Sequence, residues 1–258
     1  MEKGMKRKKI NLVANMMVTD NDIPYLSETL PALHEMCDRV ILMYNGPSMG
    51  RWQEIAEFFE GDVGSDLVHG DPAYPPENYA KLRNAMLAHA EVGDWVLKWD
   101  PDEIPTGTDN DMQQVNGLKA LKKYIEGVVP NSYTTIAIPI YHIVEGNQCL
   151  SIEYGWHHVR AFVKTVSTAW RNHIHEQPFI PSEKIWKIPH EMGMGIIHMS
   201  YYSPKRLKRK EEHYAKIPGS GHGPGTLQRN IKAGLRELPE NMGFDVSDEW
   251  LAEIKELG

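Results

Sequence analysis

Along the first hundred positions, apolar residues fall into short continuous runs separated by stretches of helical period. Ile10 to Val18 is nearly unbroken, as a strand covered on both faces requires. Thr19-Asp20-Asn21-Asp22-Ile23-Pro24 follows it with side chains that cap a helix and an early proline, which predicts a helix to about Cys37. Arg39 to Tyr44 is a second strand, ended by Asn45-Gly46-Pro47-Ser48, and Arg51 to Glu60 sets Trp52, Ile55, Ala56 and Phe59 on one helical face. Asp66 to His69 predicts a third strand and Trp95 to Trp99 a fourth. Between them, Glu77 to Glu91 carries Tyr79, Leu82, Met86 and Ala90 as a helical stripe. Strands alternating with helices predict a largely parallel sheet with covered faces, whose ligands gather at the carboxyl ends of the strands. That rule selects Asp20, Asn45 to Ser48, and the segment after Trp99.

The second half reads differently. A helix is expected from Asp111 to Glu126, then β-like segments from Tyr133 to Val144 and His158 to Ala169, an α+β pattern with no internal repeat. Helical stretches from Pro204 to Lys216 and Leu227 to Leu235 flank the Gly- and Pro-rich segment 218–225, and a last helix covers Ser247 to Glu256. The expected organisation is a basic tail at 1–9, an α/β domain at 10–200 and a basic helical extension at 201–258.

Composition narrows the class. With 258 residues, 41% apolar and 24% charged, the chain can bury a sizeable core, which excludes wholesale disorder and a heptad rod. A net charge of −7 argues against a surface that grips nucleic acid everywhere. Residues 201–236, however, hold nine Lys or Arg against two Glu, a local +7 that leaves −14 for the remainder. That stretch could meet an anionic acceptor or a diphosphate, with a solvated basic helix as the plain alternative. Two cysteines make no disulfide framework and fit a reducing cytoplasm. Lys3 to Lys9 reads as a solvated terminus, because Asn11 and Asn15 interrupt the apolar run a secretory leader would need. No run approaches the ~20 apolar residues of a transmembrane segment.

The segment Trp95-Val96-Leu97-Lys98-Trp99-Asp100-Pro101-Asp102-Glu103 delivers three carboxylates to the end of a strand, where like charges repel unless a cation compensates them. In an extended backbone Asp100 and Asp102 would face the same way, toward one hard ion such as Mg²⁺ or Mn²⁺; an Asp-Pro-Asp turn without metal is the bland reading. Arg83 lies on the preceding helix, and its guanidinium suits either a phosphate or the acidic loop. Further on, Trp170-Arg171-Asn172-His173-Ile174-His175-Glu176 contains a His-x-His pair and a carboxylate, and His198 ends the apolar run Gly195-Ile196-Ile197. Either His175 or His198 could ligate a metal, and either could be a hydrogen-bonded core histidine. Trp156-His157-His158 and Trp170 could stack on a sugar ring or simply pack.

Leu82-Arg83-Asn84-Ala85, Asp94-Trp95-Val96-Leu97, Asp100-Pro101-Asp102-Glu103 and His175-Glu176 together resemble the small family 2-type glycosyltransferases. The resemblance implies a GT-A (Rossmann-like) α/β fold, with a mostly parallel central sheet flanked by helices and a C-terminal helical extension. It implies transfer of a sugar, with inversion, from a nucleoside-diphosphate-sugar donor to a hydroxyl acceptor: a saccharide, a lipid-linked saccharide, a protein or a modified nucleic-acid base. Asp100 would lie near ribose and metal, Asp102 would ligate Mn²⁺ or Mg²⁺ with His198, and Glu176 would be the general base. Asp20, Asn45, Arg83 and Lys205 would contact the donor. The family usually has Asn-Glu where Asp20-Asn21 stands, and an acidic or Gly-Ser turn where Asn45 to Ser48 stands. A nucleotidyltransferase, or a non-catalytic nucleotide-sugar or glycan-binding module, is the alternative reading.

Overall fold

A computed structural model describes residues 10–46, 49–57, 66–69, 79–106, 117–128, 133–145, 148–150, 156–171, 177–180, 184–189, 194–215, 234–237 and 247–256. The first half is built as its pattern requires: β1 (Leu12–Val18), a 3-10 turn (Asp20–Tyr25), α1 (Leu26–Met36), β2 (Arg39–Tyr44), α2 (Met49–Glu57), β3 (Asp66–His69), α3 (Tyr79–Ala88) and β4 (Trp95–Trp99). β1 pairs in parallel with β2 and β4, and β2 with β3, giving the order β4-β1-β2-β3. Being central, β1 is apolar on both sides. Leu12, Ala14, Met16 and Val18 pack with Leu26, Leu30 and Leu33 of α1, while Val13 packs with Leu82 and Met86 of α3. The helices therefore cover opposite faces.

Beyond β4 the sheet takes strands of both senses: β5 (Glu103–Thr106), β6 (Thr135–Glu145), β7 (Gln148–Leu150), β8 (Trp156–Val163), β11 (Ile185–Lys187) and β12 (Gly195–His198). β8 is antiparallel to both β4 and β6, while β12 runs parallel to β6 and antiparallel to β5. A separate two-stranded ribbon joins β9 (Ala169–Arg171) to β10 (Gln177–Phe179). α4 (Gly117–Val128) adds Leu121 and Ile125 to the core under α1.

At the C-terminal end, α5 (Pro204–Ala215) and α6 (Asp248–Glu256) are the helices expected there. One expectation is overturned: Leu235, placed at the end of a second basic helix, lies in β13 (Leu235–Glu237), antiparallel to β7 opposite Leu150. Pairing with a distant edge outweighs a modest local helix preference. The rest of that expected helix, residues 227–233, lies outside the described residues. α6 docks through Trp250, which meets Tyr25 edge-on at 5.9 Å and donates its indole N–H to the Pro24 carbonyl at 3.2 Å. Among the described residues, no helix is long and apolar enough to cross a membrane.

Candidate functional site

The parallel register fixes where the chemistry collects. Val18 lies beside Tyr44 and Met16 beside Trp99, so Asp20, Asn45 and Asp100 all follow carboxyl ends of adjacent strands. Tyr44 donates its hydroxyl hydrogen to Asp20 Oδ1. Gly46 is required here, since a Cβ would collide with the Tyr44 ring and the Asp20 carboxylate. Asn45 donates its backbone N–H to the Val18 carbonyl at 2.8 Å, and its Oδ1 is buried with no hydrogen-bond partner among the described residues. A buried acceptor without a partner is the kind of group a bound N–H or O–H would satisfy.

After Trp99 the chain turns rather than running extended. The Glu103 N–H reaches the Asp100 carbonyl at 3.0 Å, with Pro101 in the second position of the turn, where its fixed φ is favoured. The Glu103 carbonyl accepts the Trp99 indole N–H at 2.9 Å, and its Oε2 accepts the Asp100 N–H at 2.9 Å. This corrects the extended geometry expected from the sequence: Asp100 and Asp102 diverge.

Asp100 turns toward cations. It pairs with Arg83, which also holds the Asn15 carbonyl at 3.1 Å, with Arg160 of β8 at 3.1 Å, and with Lys98 at 3.7 Å. Burial works against its charge, but Lys98, Arg83 and Arg160 outweigh it and hold the carboxyl well below the usual range. Arg83 is only 1% exposed, so of the two roles open to it the structure displays the grip on the acidic turn. Fully buried Glu103 takes the second arm of Arg160. Burial pushes Glu103 up to about 8, with Asp100 adding to the rise and Arg160 opposing it.

Asp102, 5% exposed, faces the other way. Its Oδ1 lies 3.2 Å from His198 Nε2, and its Oδ2 accepts from Arg206 at 3.0 Å. Arg206 also reaches Asp22 at 3.1 Å and the Asn21 carbonyl at 3.2 Å, and lies 4.7 Å over the Tyr25 ring. Arg209, one helical turn on, donates to Asn21 Oδ1 at 3.2 Å. Part of the basic stretch is thus turned inward. Lys205 is not: its side chain is exposed and lies 3.7 Å from Glu256 of α6. Near the same turn His158 is held neutral, its pKa lowered to about 4 by burial, then by Arg160, Lys98 and His198. Burial and Asp102 raise the Tyr201 phenol to about 12.

The Arg83-Asn84 dipeptide serves two places at once. While Arg83 holds Asp100, the Asn84 side chain accepts the Trp170 N–H at 2.7 Å and donates to the Trp170 carbonyl at 3.0 Å, clasping β9. Lys98 lies 5.8 Å and Arg83 5.9 Å over the Trp170 ring. His173, His175 and Glu176 follow β9 in sequence but lie outside the described residues. His157 packs structurally, Nε2 lying 2.7 Å from the Ile188 carbonyl.

Sequence reasoning missed Arg160, Arg206 and His142, the last 2.8 Å from His198. Arg160 carried a signal, being a charge inside the apolar strand Val159-Arg160-Ala161-Phe162, which has to find a partner. Among the described residues no three His, Cys, Asp or Glu converge as a metal cage. The Asp102–His198 spacing nevertheless suits two ligands of a shared ion with bonds of about 2.0–2.2 Å, in a mixed oxygen and nitrogen set compatible with Mn²⁺.

No protein-family model matches the sequence, and no curated protein does. Among solved structures, mannosyltransferase PcManGT from Pyrobaculum calidifontis, in complex with GDP-Man and Mn²⁺, is similar over 88% of this chain and 69% of its own, with 12% identity and a TM-score of 0.52. S. aureus TarS 1-349 is similar over 81% of this chain and 66% of its own, with 13% identity and a TM-score of 0.47. The chain spans about two thirds of the length of these two. 4-Diphosphocytidyl-2C-methyl-D-erythritol synthase gives 10% identity over 97% of this chain and 99% of its own, with a TM-score of 0.36. At such identities the likeness is one of fold, and the fold of this chain is that of the GT-A glycosyltransferases.

Proposed function

We propose that this protein is a metal-dependent glycosyltransferase of family 2 type, moving a sugar from a nucleoside-diphosphate-sugar donor to a hydroxyl acceptor with inversion. The observation that carries the reading is the turn after β4 in a GT-A fold. There Asp102 stands 3.2 Å from His198, at the sheet edge that also bears Asp20 and Asn45. PcManGT, which shares the fold, was solved with GDP-Man and Mn²⁺.

In this reading Asp102 and His198 would hold Mn²⁺ or Mg²⁺. When bound, the ion offsets the negative charge that develops on the departing diphosphate. The chain's own residues do the rest. Arg83 and Arg160 hold Asp100 and Glu103 still, so the acidic turn keeps its shape as the donor arrives. Asp20 and the orphan Asn45 Oδ1 take the nucleoside end. Glu176 removes the acceptor hydroxyl proton as that oxygen attacks the anomeric carbon, which requires an approach of about 3 Å in the complex. Lys205 and its neighbours on α5 offer an anionic acceptor or the diphosphate a positive field.

The test is a thermal-shift panel of nucleotide sugars with and without Mn²⁺, since a specific ligand stabilises the native state by mass action. Product analysis on the active pair follows. Stabilisation that needs both components, with release of nucleoside diphosphate, is expected. Asp102→Asn should lower transfer at least ~100-fold, a loss of the size expected for a charge-stabilising group. Its Tm should stay within a few degrees of wild type, because Arg206 keeps Asp22. Release of pyrophosphate would indicate a nucleotidyltransferase. Donor binding without turnover would indicate a binding module.

A further inference from the structure

We infer that His142 is a positioning residue that sets the tautomer and orientation of His198, resting on the reading above that Asp102 and His198 hold a divalent cation. In the parallel pairing of β6 and β12, His142 is the register partner of His198, which places the two rings abreast. Their Nδ1 atoms lie 2.8 Å apart and their ring centroids 4.7 Å apart. His142 is buried, and the Tyr201 ring lies 5.1 Å from it, limiting how far it can swing.

A hydrogen bond between two imidazole nitrogens needs one N–H and one lone pair. For a neutral His198 to offer its Nε2 lone pair to a metal, its hydrogen must sit on Nδ1. His142 must then accept with Nδ1 and carry its own hydrogen on Nε2. Without a metal, His198 Nε2–H points at Asp102 Oδ1, and the same contact works in reverse, with His142 Nδ1–H donating to His198 Nδ1. Histidine suits this place because its Nδ1 serves either role, whereas a carbonyl only accepts and an ammonium only donates. Partners of this kind fix ligand geometry and basicity, and their loss commonly lowers metal affinity by about 10–100-fold.

The experiment titrates the full chain with Mn²⁺ alone, followed by the electron paramagnetic resonance of the free ion, for wild type, Asp102→Asn, His142→Asn and His142→Leu. Asparagine offers a donor and an acceptor near the His142 Nδ1 position; leucine offers neither. His142→Asn should stay within about threefold of wild type and His142→Leu should bind roughly 10–100-fold more weakly. In parallel, ¹⁵N–¹H correlation spectra of wild-type protein saturated with Mg²⁺ should show His198 hydrogenated at Nδ1. Equal Mn²⁺ affinity of His142→Leu and wild type, or equal weakness of both His142 variants, would overturn the role. Hydrogen on Nε2 of His198 in the Mg²⁺-loaded wild type would do the same even if His142→Leu fails to fold. Failure of wild type and Asp102→Asn alike to take up Mn²⁺ would overturn the metal reading, and this inference with it.

Discussion

Arg206→Met tests the cation that occupies Asp102. The substitution keeps an apolar stem beside Tyr25 and removes the guanidinium shared by Asp102, Asp22 and the Asn21 carbonyl. With about 4 Å between charge centres and an effective dielectric near 20, each carboxylate–guanidinium attraction is about 4 kcal/mol before desolvation is counted. Stripping one partner from a buried pair costs about 3–5 kcal/mol, because the other charge stays buried. The side chains of Arg206 and Asp22 are 17% and 15% exposed, so the lower end applies, about 3 kcal/mol. For a chain of this size that lowers Tm by about 6–12 °C. Differential scanning fluorimetry with and without Mn²⁺ measures both this loss and a second effect. At the proposed metal site Arg206 and the ion would compete for Asp102, so the Tm gain on adding Mn²⁺ should be larger in Arg206→Met than in wild type. A loss below about 1 kcal/mol would refute the buried-pair account. A smaller Mn²⁺ gain in the variant would refute the competition.

Two further outcomes are expected. His158 binds its proton less readily in the folded chain, about 4 against the ordinary 6.5. Its contribution to stability is therefore complete above about pH 6.5 and is lost as pH falls toward 4, amounting to roughly 3 kcal/mol. Glu103, raised by burial, works in the opposite sense, losing its contribution as pH rises toward 8. The measurement is accordingly the difference in urea unfolding between wild type and His158→Asn, which should shrink as pH falls from 7 to 4.5; a flat difference would contradict the assignment. Gly46→Ala should cost about 1–3 kcal/mol, since Tyr44 is fully buried and cannot yield, and should weaken nucleotide binding through Asp20. Wild-type affinity and Tm in this variant would show that the turn has slack.

What was legible in the sequence follows from how local each determinant is. The second, third and fourth strands are legible to the residue, because each is an apolar run bounded by polar or turn-forming residues. The shape of the acidic segment was not. Pro101 supports both an extended stretch and a turn, and the Asp100–Glu103 hydrogen bond decides for the turn. Lys205 and Arg206 are neighbours of like charge, and only the packing of α5 against the Asp20–Tyr25 turn determines which of them points inward. His142 and Arg160 sit in strands whose partners lie 56 to 60 residues away, so register, invisible in one sequence, brings them to the site. The carboxyl-edge rule and the family resemblance singled out Asp20, Asn45, Asp100, Asp102 and His198 as candidates. The cations that hold those carboxylates had to be seen in three dimensions.

Two consecutive residues of α3 look in different directions, Arg83 to the acidic turn and Asn84 to the backbone of Trp170. One helix thereby mounts both the acidic turn and the β9–β10 ribbon. A tilt of that helix would carry the turn and the ribbon together and leave their separation nearly constant, so breathing of the surrounding sheet would move them as one unit.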